Sequence, residues 1–490
     1  MSKKNNKSFF TVPGIFLLGF FVFSAGFFPA KAAGGEWEAV GYDEWLASNS
    51  IFSSLAFHPT TNDLYIIYTT RSGSSYTPIF RKYDGSNWSD LSTNGLSADT
   101  PLISLTFNPR TKEPYVFYPD GQNGDKAAVK KFDGSSWAAV GQDGFSNGQV
   151  FDDLELSRVA FHPETNEAYV AYTDQSFDAK VAVKRFDGNS WQNVGGESIS
   201  DKNSYMIACG FNPSTEELYV AYSDMTAQKI YVKKFDGSSW VQVGSSVEGN
   251  DSAVMTLAFH PATGEPHILH LEQAGIDKGV VKKFDGSSWV QVGSKLGIGE
   301  AMYMSLAFSP TTNEPWVVYY DDGNYYKAVA RRFDGSSWIE AGTVGLDSGD
   351  PMLFDLVFNP QTGEPYVTYS DYINEPESSY RVAVKKFNKL LTDTPTLAYN
   401  SSKKAKKKIT FNFQDLNLKI KKKDAKIRLN GRKIKLSRVR KSGNNVLMAS
   451  NLKYSKWSAG NYNLSLTYKG KRGKTTYRGT WRANNVLTIN

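Results

Sequence analysis

The sequence has a single cysteine and none of the common catalytic signatures. Cys209 is the only cysteine among 490 residues, so no internal disulfide can form. It lies in the apolar run MIACGF, where we expect it to pack as a small buried hydrophobe. The chain contains no G-x-S-x-G, H-E-x-x-H, P-loop, G-x-G-x-x-G or D-x-D-x-D-G motif. We therefore expect no metal site and no cofactor; calcium stays an open alternative that no loop motif supports.

Long apolar runs are also scarce, and the only one lies near the N-terminus. The run IFLLGFFVFSAGFF (residues 15–28) follows three lysines and precedes Ala30-Lys31-Ala32. A basic start, an apolar stretch and small residues at A-x-A spacing predict a signal peptide over residues 1–32. The alternative is an uncleaved membrane anchor, for which the run is short. We expect a mature protein without a transmembrane segment, secreted or held at the cell surface.

Acidic residues are rare at the C-terminal end of the chain. From Lys389 onward we count about 26 Lys and Arg residues against 3 Asp residues, a net charge of about +23. Subtracting this from the whole-chain charge of +7 leaves about −16 for the rest. The sequence therefore joins an acidic body to a strongly basic tail domain.

A repeat fills the acidic body. Its tryptophans recur about every 49 to 54 residues, within the range of propeller blades, at Trp88, Trp137, Trp191, Trp240, Trp289 and Trp338. An F-x-P block keeps step with them, from LAFHP at Leu55 to LVFNP at Leu356. Each unit offers four short strands, for example SLAF, YVAYSD, AVKKFD and WVQVG, separated by His-Pro or Asn-Pro turns and Asp-Gly turns.

The count of these pieces predicts how the ring closes. There are seven F-x-P blocks, but no tryptophan strand follows Phe387. The missing strand stands at the other end of the repeat, as Trp37 to Gly41. We therefore predict an all-β fold: a seven-bladed β-propeller over residues 36–388, closed by an N-terminal strand.

The repeats YVAYxD … VKKFDGSSWxxVG resemble those of many uncharacterised secreted bacterial propeller proteins. More distantly, the ring is similar to sialidase, kelch and propeller-lectin folds. The resemblance covers roughly Trp37 to Phe387 and implies a fold rather than an activity. FDGSSW resembles the sialidase-type Asp-box S-x-D-x-G-x-T-W, although its Gly directly follows the Asp. Because such boxes occupy third hairpins, the resemblance implies a structural turn.

The two rims of the predicted ring differ. The first-to-second and third-to-fourth connections are short and nearly invariant, whereas the second-to-third and fourth-to-first connections vary in length and content. We call the two rims the constant face and the variable face. Binding residues concentrate on variable loops carried by a rigid scaffold. Our candidate ligand-binding residues on the variable face are Asp321, Asp322, Tyr325, Tyr326, Asp371, Tyr372 and Tyr380.

Acids end the second strands and bases begin the third strands of the same blades. Six carboxylates around a channel could bind a cation. However, the one repeat without the acid, which has Thr70, also lacks the base and has Thr77. We therefore favour cross-strand ion pairs. The pairs are Asp120 with Lys126, Asp174 with Lys180, Asp224 with Lys229, Glu272 with Lys278, Asp321 with Lys327, and Asp371 with Arg381.

Histidines offer no metal site in this pattern. His58, His162 and His260 occupy an F-x-P position that asparagine or serine fills elsewhere, so we interpret them as turn residues. His267 and His270 replace tyrosines in one strand, and their i, i+3 spacing points them to opposite faces.

A linker over residues 389–396 leads into the basic domain at 397–490. Its alternating runs, such as ITFNF and NYNLSLTY, predict a small β-sandwich, and GNYNL (residues 460–464) resembles the tyrosine-corner strand of immunoglobulin-like domains. The positive charge of this C-terminal domain favours an anionic polymer as its binding partner. The candidate residues for it are Lys403, Lys404, Lys406, Lys407, Lys408, Lys421, Lys422, Lys423, Arg432 and Lys433.

These features support three hypotheses. The first is a monomeric, non-enzymatic recognition or adhesion protein whose variable face binds a glycan or protein and whose basic domain holds it at an anionic surface. The second is a sialidase-like hydrolase or lyase, with an acid/base pair among Asp321, Asp322, Asp371, Glu375 and Glu377. The third is a structural component of an envelope or matrix.

Overall fold

The computed structural model describes most of the chain from residue 36 onward. It covers residues 36–489 with gaps at 42–45, 151–157, 225, 250–255, 273–275, 325–326, 344–349, 374–378, 389–395, 400–406, 414–418, 430–431, 435, 443–444, 453–459 and 473–474. The predicted signal peptide and most of the predicted linker lie outside the described residues.

Seven antiparallel sheets, each with four main strands, form the blades of a β-propeller. In blades 1 to 6 the strands pair in chain order, from the first to the fourth. The strands of blades 1 to 3 are Ser50–Phe57, Leu64–Ser72, Ser75–Tyr83 and Trp88–Leu91; Ser104–Phe107, Pro114–Asp120, Lys126–Phe132 and Trp137–Ala139; Ala160–Phe161, Ala168–Asp174, Lys180–Phe186 and Trp191–Asn193. Those of blades 4 to 6 are Ser204–Phe211, Leu218–Asp224, Lys229–Phe235 and Trp240–Gln242; Thr256–Phe259, Pro266–Glu272, Lys278–Phe284 and Trp289–Gln291; Ala301–Phe308, Pro315–Asp321, Lys327–Phe333 and Trp338–Thr343.

Blade 7 takes its outer strand from the N-terminal side of the ring. Its first three strands are Asp350–Phe358, Pro365–Ile373 and Ser379–Asn388, and its fourth is Glu36–Ala39. Trp37 pairs with Phe387 in this register. Two short strands, Ala47–Ser48 and Val247–Glu248, also pair with third strands, and 3-10 turns cover Gly121–Asn123, Gln175–Phe177 and Asp322–Asn324. The predicted seven-bladed fold and its closure by an N-terminal strand are confirmed.

The apolar core lies between neighbouring blades. All seven residues of Pro114–Asp120 are buried, as are all seven of Ala168–Asp174. One cluster joins blades 2 and 3 through Phe117, Val129 and Val170. Because each sheet is covered on both faces, its central strands are apolar on successive residues rather than alternating.

The repeated tryptophans lock each blade to the one before it. Each indole N–H donates to a backbone carbonyl at the end of the preceding blade's fourth strand, and the ring closes with the Trp37 N–H on Ala341. The other bonds run from Trp88 to Val40, Trp137 to Ser92, Trp191 to Val140, Trp240 to Val194, Trp289 to Val243 and Trp338 to Val292, and all seven are 2.7–3.1 Å long. The tryptophan is therefore repeated because the junction between blades is repeated.

The glycine of the SWxxVG block belongs to the same junction. Gly195 has φ +71°, and a Cβ there would lie 2.5 Å from Cδ1 of Trp240 in the next blade. Gly41 has φ +104°, and a Cβ there would lie 2.9 Å from Cδ1 of Trp88. Glycine fits because it adopts positive φ without strain and leaves room for the indole.

The C-terminal strands form two four-stranded sheets. One has the strands Thr396–Tyr399, Lys407–Phe413, Asn445–Leu452 and Leu436–Ser442, and the other has Arg432–Ile434, Lys419–Leu429, Gly460–Arg472 and Thr475–Ile489, in pairing order. The packing of these sheets as a sandwich and their immunoglobulin likeness stay predictions. Within the described part of the chain, no helix is both long and apolar enough to cross a bilayer.

Candidate functional site

The FDGSSW blocks form turns on the constant face. In the block of blade 2, Asp133 Oδ1 accepts hydrogen bonds from the Ser135 and Ser136 backbone N–H groups, each at 2.8 Å. These bonds lower the pKa of the Asp133 carboxyl to about 2. Both serine hydroxyls donate to the same carboxylate, and the turn is repeated in five further blocks, so it has no base to activate a serine.

The histidines of the F-x-P blocks are turn residues, as the sequence indicates. His162 Nδ1 accepts hydrogen bonds from the backbone N–H groups of Glu164 and Thr165, both at 3.2 Å. In another blade Asn108 Oδ1 makes the equivalent pair of bonds. Among the residues that the structure describes, no group of three potential metal ligands comes together.

A ring of ion pairs crosses the second and third strands near the constant face, where the sequence interpretation did not place one. The acid comes just before the start of the second strand, and the base is the second residue of the Lys/Arg pair near the end of the third strand. The pairs are Lys82 with Asp63, Lys131 with Glu113, Arg185 with Glu167, Lys234 with Glu217, Lys283 with Glu265 and Arg332 with Glu314, with N to O distances of 2.8–3.5 Å. The signal for these pairs is the constant spacing of acid and base in six repeats.

In blades 2, 3 and 4 the first base of the Lys/Arg pair has a different role. Lys130 Nζ donates to the carbonyl of Gly95 at 2.5 Å, and Lys233 Nζ donates to that of Ile199 at 2.7 Å. Lys184 makes the same kind of bond to Phe145, and its burial lowers its pKa. These lysines hold the fourth-to-first loops in place through hydrogen bonds to loop carbonyls. Their role is therefore structural rather than ligand binding.

On the variable face, each of the six predicted acids lies directly opposite its predicted base in the strand register. The carboxylates also fasten loops. Asp174 accepts from the backbone N–H groups of Asn147, Gly148 and Ser176, and Asp224 accepts from those of Thr226 and Ala227. The sequence interpretation missed this role, and the ion pairing across the hairpin stays a prediction.

Two of these acids were also candidate ligand residues. Asp321 is buried, and it accepts hydrogen bonds from the Ile298 and Gly299 backbone N–H groups, both at 2.9 Å. Asp322 accepts from the Glu300 N–H at 2.5 Å. Asp371 is also fully buried. The carboxylates of Asp321 and Asp322 therefore hold the loop that enters blade 6.

Tyrosines of blades 6 and 7 come together on the variable face. Tyr372 and Tyr380 stand opposite each other across a hairpin, with ring centroids 5.0 Å apart and ring planes inclined at 50°. Tyr303, in the first strand of blade 6, is half-buried and packs 6.5 Å from the ring of Tyr320. Burial, and to a smaller extent the charge of Tyr380, raise the pKa of Tyr303, so Tyr303 and Tyr380 lie in the same region of the variable face. We call Tyr303, Tyr372 and Tyr380 the tyrosine cluster.

The other predicted ligand and polymer residues are only partly described. Tyr325 and Tyr326 lie outside the described residues, as do Glu375 and Glu377 of the hydrolase hypothesis and Lys403, Lys404 and Lys406 of the basic set. Lys421 and Lys423 are exposed. Lys407, Lys408, Lys422, Arg432 and Lys433 lie in strands whose side chains at these positions are outside the described set.

The sequence interpretation also missed a charged pair in the middle of the ring. Arg158, just before the first strand of blade 3, forms an ion pair through Nη2 with Oδ2 of Asp355 in blade 7. Its Nη1 donates to the carbonyls of Leu55 and Leu105, at 2.9 and 2.7 Å. Oδ2 of Asp355 also accepts from the Leu55 N–H at 2.7 Å and the Ser54 hydroxyl at 3.2 Å. The pair therefore connects blades 1, 2, 3 and 7.

Arg158 and Asp355 belong to a ring of seven equivalent positions, each one residue before the F-x-P block. The ring lines a central cavity and consists of Ser54, Ser104, Arg158, Ala208, Thr256, Ser305 and Asp355. The hydroxyls of Ser54 and Ser305 accept from the backbone N–H of Leu105 and Leu356 in the next blade, both at 3.2 Å. Aligning the repeats would have marked Arg158 and Asp355 as exceptions, because the other five members are small and uncharged.

Comparison with known proteins does not assign the chain to a family. No protein-family model matches the chain, and no curated protein sequence matches it. A mutant of AofleA from Arthrobotrys oligospora is similar at a TM-score of 0.44 and 12% identity, over 64% of this chain and 90% of its own. The fucose-specific lectin from Aleuria aurantia gives 0.40 and 15%, over 62% and 97%. A putative 6-phosphogluconolactonase from Bacteroides uniformis gives 0.41 and 12%, over 59% and 83%. At these values the likenesses carry no argument about function.

Proposed function

We propose that this protein is a monomeric, non-enzymatic recognition protein that works outside the cytoplasmic membrane. Its propeller binds a glycan through the variable face, and its basic C-terminal domain attaches to an anionic surface polymer. The observation that carries the proposal is the tyrosine cluster, three half-buried aromatic side chains of two neighbouring blades on the loop-bearing face.

Tyrosine suits the recognition of a sugar. Its ring offers a large apolar surface with few rotatable bonds, and its hydroxyl provides a polar end. A sugar ring likewise has an apolar face bordered by hydroxyl groups. The inclined pair Tyr372 and Tyr380 gives such a ligand more than one ring to contact.

The scaffold supports binding on this face rather than on the other. The constant face consists of repeated Asp turns and ion pairs whose polar groups bond to one another. The variable face bears loops that differ from blade to blade, and these are positioned by buried carboxylates such as Asp174 and Asp224. A rigid ring with individual loops is the usual arrangement of a binding site.

The hydrolase alternative needs two carboxylates about 5–10 Å apart that face one pocket. Asp321 and Asp322 accept hydrogen bonds from the backbone of the preceding loop, which favours a structural role for both. Release of reducing sugar from a bound glycan by the purified protein would replace the recognition proposal with the hydrolase.

A glycan array probed with the full-length protein tests the proposal. We expect selective binding to a small set of glycans. The variants Tyr372→Ala and Tyr380→Ala should each weaken binding to the best glycan about tenfold, since each loses roughly 1.4 kcal/mol of contact.

Tyr76→Ala is the matched control for these variants. Tyr76 also lies on the variable face, in blade 1, where Arg71 stands 5.8 Å from its ring centroid. Loss of binding in Tyr76→Ala equal to that in Tyr380→Ala would remove the tyrosine cluster from the proposal. An empty array, together with capture of a protein ligand on the same face, would change the ligand class.

A further inference from the structure

The central cavity has the size of a small-molecule site. Its volume is about 320 Å³, at the lower end of the range for ligand pockets. A volume of this order admits a small molecule of the size of one sugar ring. The Arg158 side chain is 35% exposed and that of Asp355 is 16% exposed, so solvent reaches the pair.

The walls of this cavity combine apolar side chains with polar groups, several of which are already hydrogen-bonded within the protein. Leu102, Ile207, Met304 and Phe354 contribute apolar surface. The hydroxyls on the wall have internal partners: for example, Ser104 Oγ donates to the carbonyl of Phe117 at 3.4 Å. Among the lining residues that the structure describes, only Arg158 and Asp355 are charged, so the strongest polar contacts of a ligand depend on this pair.

The charged pair keeps a donor and an acceptor for a ligand. The hydrogen bonds described for Asp355 all reach Oδ2, which leaves Oδ1 for a partner in the cavity. The bonds described for Arg158 use Nη1 and Nη2, whereas a guanidinium has five N–H donors in a fixed plane. A neighbouring donor and acceptor match a hydroxyl group or a vicinal diol, which both donates and accepts.

Charge decides between ligand classes. The pair is neutral as a whole, so an anion would meet Asp355 and a cation would meet Arg158. A zwitterion would have to separate Arg158 from Asp355 to pair with both of them, and breaking this ion pair is costly in a partly buried site. A neutral hydroxylated molecule can use the remaining donor and acceptor while the ion pair stays intact.

We propose that the central cavity binds a single neutral sugar ring or a polyol of similar size, held between Arg158 and Asp355. This site is separate from the tyrosine cluster, and it does not depend on the function proposed for that surface. The apolar side chains of the lining cover the ligand's C–H groups, and the charged pair orients its hydroxyl groups.

Titration calorimetry of the full-length protein with D-glucose, D-galactose, D-mannose, L-fucose and myo-inositol tests the site. Cys209 provides a second readout, because it lines the same cavity and is the only cysteine of the chain. A sugar that occupies the cavity should slow the reaction of Cys209 with a thiol reagent at least fivefold. No saturable heat and no protection by any of the five probes would overturn the proposal.

Two variants separate the cavity from the fold. Ala208→Leu fills the cavity from the ring position of blade 4 while both members of the charged pair are kept, and it should weaken sugar binding at least tenfold at an unchanged melting temperature. Asp355→Asn keeps an acceptor for the Leu55 N–H but frees the charge of Arg158. It should weaken sugar binding and create affinity for a small carboxylate such as acetate.

Other outcomes are equally decisive. Unchanged sugar affinity in a folded Ala208→Leu protein would place the sugar elsewhere. Tighter binding of glycine or acetate than of any sugar by the unmodified protein would overturn the ligand class. Tyr380→Ala should leave binding in the cavity unchanged, so failure at the tyrosine cluster and failure in the cavity are told apart.

Discussion

At the residue scale, His267 and His270 show how one repeat departs from the others. His270 stands where every other blade has tyrosine, for example Tyr118 and Tyr222. Both histidines are buried, and desolvation lowers the pKa of each to about 4. His270 Nδ1 bonds to the carbonyl of Leu271, and its Nε2 has no hydrogen-bond partner among the described residues. The fold therefore holds both rings neutral.

We predict that the free energy of unfolding falls as the pH drops from 6.5 to 4. An unfolded histidine binds its proton near pH 6.5, whereas the folded protein delays this to about pH 4. The free energy of unfolding is thus highest above pH 6.5. It falls by up to about 3 kcal/mol for each histidine as the pH approaches 4. His270→Tyr, which restores the residue of the other blades, should flatten this part of a urea-denaturation profile against pH.

His162→Asn is the control for this prediction. It removes a histidine of an F-x-P turn and installs the residue that fills the same position in blade 2, Asn108. An equal flattening of the profile by His162→Asn, or none by His270→Tyr, would contradict the assignment to the buried pair.

Arg158 marks the limit of prediction from the sequence at this scale. Its position before an F-x-P block could be read from the repeats, and its charge at a position of small residues was visible. Its partner Asp355 lies almost 200 residues further along the chain, in blade 7. Only the closed ring brings the two together, so the chemistry of the cavity could not be derived from local patterns.

At the scale of elements, the N-terminal strand could be predicted because the repeat is complete except for one piece. The blade count and closure followed from counting blocks, and the positions of the turns followed from Pro and Asp-Gly. The β-bulges in the first strands could not be predicted from the sequence. They shift the register between Ser50 and Ser53 and between Met352 and Asp355, and they leave no signal in propensity or polarity.

We predict that Trp37→Phe lowers the free energy of unfolding by about 1 kcal/mol, since the bond from its indole N–H to Ala341 is lost while the ring volume is largely kept. Trp240→Phe removes the equivalent bond to Val194 inside the ring and should cost about the same. Urea denaturation of both variants measures the two values. A clear cost at Trp240 with none at Trp37 would mean that the N-terminal strand does not close the ring in solution.

At the scale of the whole molecule, the division of charge is the dominant feature. A tail with about +23 follows a body with about −16. Like charges concentrated in one domain attract an anionic polymer over a distance set by the Debye length, about 10 Å at 0.1 M salt and about 3 Å at 1 M. The acidic body would repel the same polymer, so contact is expected through the tail.

We predict that the full-length protein binds heparin, as a model polyanion, and that the dissociation constant rises at least a hundredfold between 0.1 and 1 M NaCl. Reversing three exposed lysines, with Lys421→Glu, Lys423→Glu and Lys426→Glu, should weaken binding at least tenfold at 0.1 M. The same change of charge in the propeller, with Lys112→Glu, Lys126→Glu and Lys202→Glu, should have less than a threefold effect. Because the two variants have equal net charge, equal weakening would show that heparin responds to the charge of the whole molecule rather than to the tail. Binding that persists at 1 M NaCl would contradict an electrostatic attachment altogether.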